Sequence, residues 1–249
     1  MTTYHYEGTV ALEFDLASHS YKANGDLVPN VSSIVGLLDK PALVPWAAKL
    51  CAQTVTTLLA PGETMTSASI AELAKRVKAA PRDKRESAAE SGKAVHAAVE
   101  RWLNDRSYRL PVDALPAVIK GFDAFRRFAE QNRIEPKAVE QRVYSRTHRY
   151  AGTMDCVGKF NDELTVFDWK TGSGIYPEAY LQTAAYAAAW AEEQHERPRK
   201  IIIGRFDKFT GEFDPLKDVV IRNVRDHALD MMAFIALRSV WDWKQGLKA

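Results

Sequence analysis

Apolar residues recur along this chain in two periods, and the change of period divides it. From Tyr4 to Phe14 they alternate, with Val10, Leu12 and Phe14 on one side, which predicts a strand; Tyr21 to Leu27, with Asn24-Gly25 inside it, predicts a hairpin or turn. Ser32 or Ser33 can cap a short helix through Leu38. After Lys40-Pro41 the spacing is helical from Leu43 to Leu59, where Pro61-Gly62 stops it. Ser67 to Ala79 predicts a further helix that Pro81 breaks, Arg85 to Asn104 a longer one, and Pro111 to Gln131 another. From Lys137 the period shortens to two, with strands at Ala138 to Ser145, Tyr150 to Phe160 and Glu163 to Lys170. Tyr180 to Gln194 is an alanine-rich helix, Lys200 to Phe206 and Glu212 to Ile221 are strands, and Asn223 to Gln245 closes as a helix. The pattern yields a β segment at 1–30, a mainly helical portion at 31–135, a β core at 136–222 and a C-terminal helix at 223–249. The fold class is α/β: a mixed central sheet flanked by helices with a mainly helical N-terminal portion, read as one domain over 1–249.

Composition narrows this. With 249 residues, 46% hydrophobic and 27% charged, the chain can bury a sizeable core. The opening MTTYHYEGTV lacks a basic stretch followed by an apolar run, and no stretch of about eighteen apolar residues occurs, so a soluble, unexported, cytoplasmic protein is expected. Cys51 and Cys156 lack paired zinc spacing and are too few to hold an iron–sulfur cluster through four thiolates. Net charge is only +2, which excludes coating of nucleic acid by charge alone and makes any such binding local. Lys75, Arg76, Lys78, Arg82, Lys84 and Arg85 form one basic stretch and Arg126, Arg127 and Arg133 another, and for each a solvated helix face is the commoner explanation.

The candidate chemistry begins at a hairpin. If Phe160 and Glu163 flank a two-residue turn at Asn161-Asp162, counting back sets Asp155 opposite Asp168, with Cβ atoms about 4.5 to 5.5 Å apart. Alternation then gives Lys170 the face of Asp168, and turns Phe167 and Trp169 to the other. Two carboxylates so close repel, and a shared proton, a cation or separation into solvent relieves them. A hard divalent ion is the option with chemistry in it, because it can hold both carboxylates and a phosphate oxygen; a surface hairpin with an Asp-Lys ion pair is the plain alternative.

Elsewhere, Gly92, His96 and Glu100 stand at four-residue steps on one helix, beside an apolar stripe of Val95, Val99, Trp102 and Leu103. His96 can offer an imidazole nitrogen to a metal, with Glu100 as an outer group, or be a structural histidine. Gln182 and Tyr186 are also one turn apart and suit contact with a phosphate or base, support of the active strand, or plain packing.

The ordered set GxxxHxxxE at Gly92 to Glu100, GTMD at Gly152 to Asp155, DWKTG at Asp168 to Gly172 and QTAAY at Gln182 to Tyr186 resembles the RecB-like branch of the PD-(D/E)XK nucleases. The stretch from Asn24 to Lys49 resembles the opening of phage-encoded exonucleases of that branch. The resemblance implies a restriction-endonuclease-like core and ligation of one or two Mg2+ or Mn2+ ions by His96, Asp155, Asp168 and the Trp169 backbone carbonyl. It implies Lys170 near the attacking water and Gln182, Tyr186 and Thr171 toward substrate; Glu100 matches an acidic helical position, and Glu140 is a weaker candidate. Some relatives carry four cysteines around an iron–sulfur cluster, from which this chain departs. No G-x-x-x-x-G-K-[ST] occurs, so coupling to ATP needs another protein. The implied activity is hydrolysis of DNA, at ends or in single strands, by metal-activated water, in a host-cell cytoplasm if phage-encoded and beside a recombination or single-strand-binding protein. The competing functions are a non-catalytic nucleic-acid-binding module on the same fold and a hydrolase of small phosphate esters.

Overall fold

The computed structural model describes residues 1–59, 62 and 64–246. Contacts divide the chain into two compact units, Asp39–Lys93 and the remainder.

Strands β1 (Thr2–His5), β2 (Val10–Asp15), β3 (Ser20–Ala23) and β4 (Asp26–Val28) form an antiparallel meander. The single strand expected over Tyr4 to Phe14 is thus two, because Tyr6, Glu7 and Gly8 all take positive φ and turn the chain back. The Asn24-Gly25 hairpin forms as read, with positive φ at both residues. Helix α1 (Val31–Val35) is capped by Asn30 rather than by a serine: the Ser32 N–H donates to Asn30 Oδ1 at 3.0 Å.

Helix α2 (Leu43–Leu58) ends where expected, although Pro61 lies outside the described residues. The helix expected to break at Pro81 does not: α3 runs from Ser67 to Asn104 with Pro81 inside it. Pro81 has no N–H for the carbonyl of Val77, four residues back, and the Cys51 thiol of α2 donates to that carbonyl at 3.5 Å instead. Helix α4 (Pro116–Gln131) starts at Pro116, not Pro111, with proline in its first turn where a missing N–H costs nothing.

A five-stranded sheet follows: β5 (Glu135–Ser145), β6 (Tyr150–Phe160) and β7 (Glu163–Lys170), then α5 (Pro177–Gln194), β8 (Lys200–Arg205), α6 (Pro215–Asp218), β9 (Val219–Asn223) and α7 (Val224–Gly246). Its order is β5-β6-β7-β8-β9, with β7 and β8 parallel and every other pair antiparallel. The strand expected over Glu212 to Ile221 is α6 and then β9, since Asp214 accepts the Leu216 N–H and Pro215 presets helical φ. Positions 247–249 of the expected closing helix lie outside the described residues.

Each face of this sheet has its own core. On one, Phe167, Trp169, Cys156, Ile202 and Phe206 pack with Val95, Val99 and Trp102 of α3 and Phe122, Phe125 and Phe128 of α4. On the other, Met154, Val157, Val166, Ile201 and Ile203 meet α5, with Val31, Ile34 and Val35 of α1 and Phe234 of α7. The alanines of α5 serve this packing: Ala179, Ala184, Ala185 and Ala189 are buried, and small side chains let a helix lie close on a sheet.

Candidate metal centre

The β6–β7 hairpin folds in the counted register: Phe160 faces Glu163 across Asn161 and Asp162, both at positive φ, and the ladder continues to Cys156 opposite Phe167. There it stops. The next row would pair Asp155 with Asp168, but the Trp169 N–H donates instead to Asp155 Oδ2 at 2.6 Å. A carboxylate has taken the hydrogen bond that the ladder would have made.

Strand β5 meets the same level from the other side. Its register pairs Val139 with Cys156 and Gln141 with Met154, which carries Glu140 to the level of Asp155. Glu140 has φ +48 in mid-strand, a left-handed conformation that costs a non-glycine residue of order 1 kcal/mol or more. Glu140, Asp155 and Asp168 therefore occupy one row across three adjacent strands.

Helix α3 adds His96, at the edge of its apolar stripe. His96 Nδ1 lies 3.5 Å from Asp155 Oδ1. One ligand atom each of His96, Glu140 and Asp155 lies within 4.8 Å of the others. Ligands on a common ion with bonds of about 2.1 Å stand roughly 3 to 4 Å apart, so a small inward movement closes this set on a cation. Oxygen donors with one imidazole suit magnesium or manganese.

Asp168, 2% exposed, is the most buried member of the row. Its Oδ2 lies 2.7 Å from Lys170 Nζ. From there a chain of polar contacts leads away from the carboxylates: Lys170 Nζ donates to Gln182 Oε1 at 3.2 Å, and Gln182 Nε2 donates to the Tyr186 hydroxyl at 2.9 Å. Tyr186 is 2% exposed, so its hydroxyl supports Gln182 from the core. Gly152 of the GTMD sequence makes room for it: a Cβ there would stand 2.5 Å from Tyr186 Cε1. Thr153 of the same sequence pairs its hydroxyl with that of Tyr21 at 2.7 Å.

The electrostatics follow from crowding carboxylates out of water. Burial, then the charge of Asp155, raises Glu140 to about 7. Burial raises Asp168 to about 6 even though Lys170 pulls the other way. At His96 burial disfavours the cation, but the Asp155 carboxylate outweighs it and lifts the imidazole to about 9. Asp155 is held low despite its burial, chiefly by His96, and burial likewise fails to lower Lys170, which Asp168 and Asp155 raise. Burial is the larger cause at both raised carboxylates, and a cation bound among them would lower both.

Of the residues singled out in sequence, His96, Asp155, Asp168, Lys170 and Gln182 converge, with the Trp169 backbone among them. Glu100, half-buried one turn beyond His96, stands outside the set of three but close enough for its charge to raise Glu140. Thr171 is buried just past β7. Glu140, ranked last in sequence, stands among the first. The signal was available: counting back from Tyr150 opposite Ser145 sets Glu140 against Asp155.

A family model, described as the PD-(D/E)XK nuclease superfamily, matches residues 69–217, more than half of the chain. No curated protein matches.

Proposed function

The chain belongs to the PD-(D/E)XK nuclease superfamily, and from that premise we propose that it is a metal-dependent deoxyribonuclease, an exonuclease acting at DNA ends or on single strands. The row of Glu140, Asp155 and Asp168 beside His96 and Lys170 carries this reading. His96, Asp155, Asp168 and the Trp169 carbonyl would hold one or two Mg2+ or Mn2+ ions, with Glu140 as a further ligand and Glu100 behind it. When bound, such ions neutralise the scissile phosphate and make water a competent nucleophile at neutral pH.

The protein's own groups do the rest. Lys170 carries a positive charge fixed between Asp168 and Gln182, where it orients the attacking water and draws the phosphate's charge toward it. Gln182 fixes the lysine through its amide oxygen, and Gln182 and Thr171 would be the polar groups nearest the substrate on this side. Tyr186 fixes Gln182 and touches neither water nor substrate. Trp169 holds Asp155 by Oδ2, which leaves Asp155 Oδ1, on the His96 side, for a ligand.

The test is digestion of DNA labelled at either end, linear and circular, with magnesium, manganese or chelator. Metal-dependent loss of label from linear DNA with circles left intact is expected. Equal cleavage of circles refutes the exonuclease assignment, and cleavage that survives in Asp168→Ala refutes the site.

A further inference from the structure

Helix α7 lies outside the family-matched residues and presents a face that a solitary protein in water does not favour. Its inner side is anchored by Phe234 and Asp230, the latter holding Arg222 at 2.7 Å. Its outer side exposes Leu229 by 59%, Met232 by 70%, Val240 by 48% and Trp243 by 66%. Ala233, Ala236, Ser239 and Asp242 are the other exposed positions between them; Asp242 is turned aside to pair with Arg238, so the face that carries Leu229, Met232, Ala236, Val240 and Trp243 is itself uncharged. Surface helices are ordinarily polar on the outer side, and an uninterrupted apolar patch marks an interaction site.

The spacing identifies the occupant. Leu229, Met232, Ala236, Val240 and Trp243 follow steps of three, four, four and three residues, a sequence of steps that reads the same in both directions about Ala236. A twofold interface needs that property, because each patch must meet a reversed copy of itself. With a second α7 antiparallel, Trp243 meets the partner's Leu229 and Met232 meets the partner's Val240. The small side chain of Ala236 sits on the axis, where the two backbones approach most closely. Arg225, on the same face at the N-terminal end, then lies beside the C-terminal end of the partner helix, whose carbonyls attract a cation. Asp242 and Lys244 fall at the rim, as polar residues do around an apolar interface centre.

We propose that the chain associates with a second copy of itself through an antiparallel pairing of α7 helices centred on Ala236. The stripe is about 21 Å long at roughly 1.5 Å per residue, shorter than an interface of about 800 Å² per partner requires, so the dimer exchanges with monomer at micromolar concentration.

Sedimentation equilibrium of the whole chain over micromolar to submillimolar concentrations tests this. The average mass is expected to climb from 27.9 kDa toward twice that value. Ala236→Arg places two like charges together on the axis and is expected to hold the mass at that of one chain, with an unchanged melting temperature because the position is exposed. Under mild oxidation Ala236→Cys should form a linked dimer, while Leu229→Cys, which faces Trp243 rather than itself, should not. A wild-type chain of constant single mass, or an Ala236→Arg variant that still dimerises, overturns the proposal. Equal linking through both cysteine variants overturns the antiparallel arrangement.

Discussion

Lys170 connects the carboxylate row to the rest of the protein, and its removal should be the most informative single change. Lys170→Ala should lower the cleavage rate by about 10² to 10⁴-fold, the range associated with a positioned proton-transfer or charge-stabilising group, while single-turnover assays show DNA binding little altered. Glu140 makes a second prediction, with two readouts of opposite sign. Its folded value of about 7 stands above the ordinary 4.5, and that of His96, about 9, above 6.5. A group raised by folding contributes stability that is complete below its unfolded value and is lost as pH climbs through its folded value. The metal-free melting temperature should therefore fall between about pH 5 and pH 9, and saturating magnesium should flatten the decline. Glu140→Gln removes the charge and keeps the shape. It should raise the metal-free melting temperature at pH 8 and weaken metal binding measured by calorimetry; stronger binding in the variant would remove Glu140 from the ligand set.

At the scale of elements, the site depends on shapes that the alternating pattern disclosed unevenly. The β6–β7 hairpin was legible because a two-residue Asn-Asp turn fixes register and a period of two then fixes faces. Glu140 was less so: its left-handed backbone interrupts alternation, and nothing local to its sequence marks that conformation. Pro81 misled, because the donor that makes a helix-interior proline tolerable, Cys51, is thirty residues away in sequence. Tyr186 was placed on the right helix, but its burial depends on the glycine opposite it. Gly152→Ala should test that fit, since overpacking a core typically costs about 1 to 3 kcal/mol, and chemical denaturation would read it. By shifting Tyr186 the same change should lower kcat more than it raises KM. Cys51→Ala leaves the Val77 carbonyl without its donor and should cost about 0.5 to 1 kcal/mol, with Cys51→Ser restoring it.

At the scale of the whole molecule, the family-matched residues and the folding unit differ. Residues 69–217 hold every candidate site residue, yet Val31, Ile34, Val35 and Phe234 complete the core on the α5 face. A chain cut to 69–217 should lose cooperative melting as well as activity, and circular dichroism would show it. The N-terminal meander is tied in by contacts far apart in sequence. Tyr21 bonds Thr153 across 132 residues, and the buried His5 bonds Glu193 across 188. A ribosome adding about 5 to 20 residues per second takes roughly 7 to 40 seconds to span such separations. The nascent meander thus spends that interval with its inward face bare, waiting for the strand and helix that will cover it.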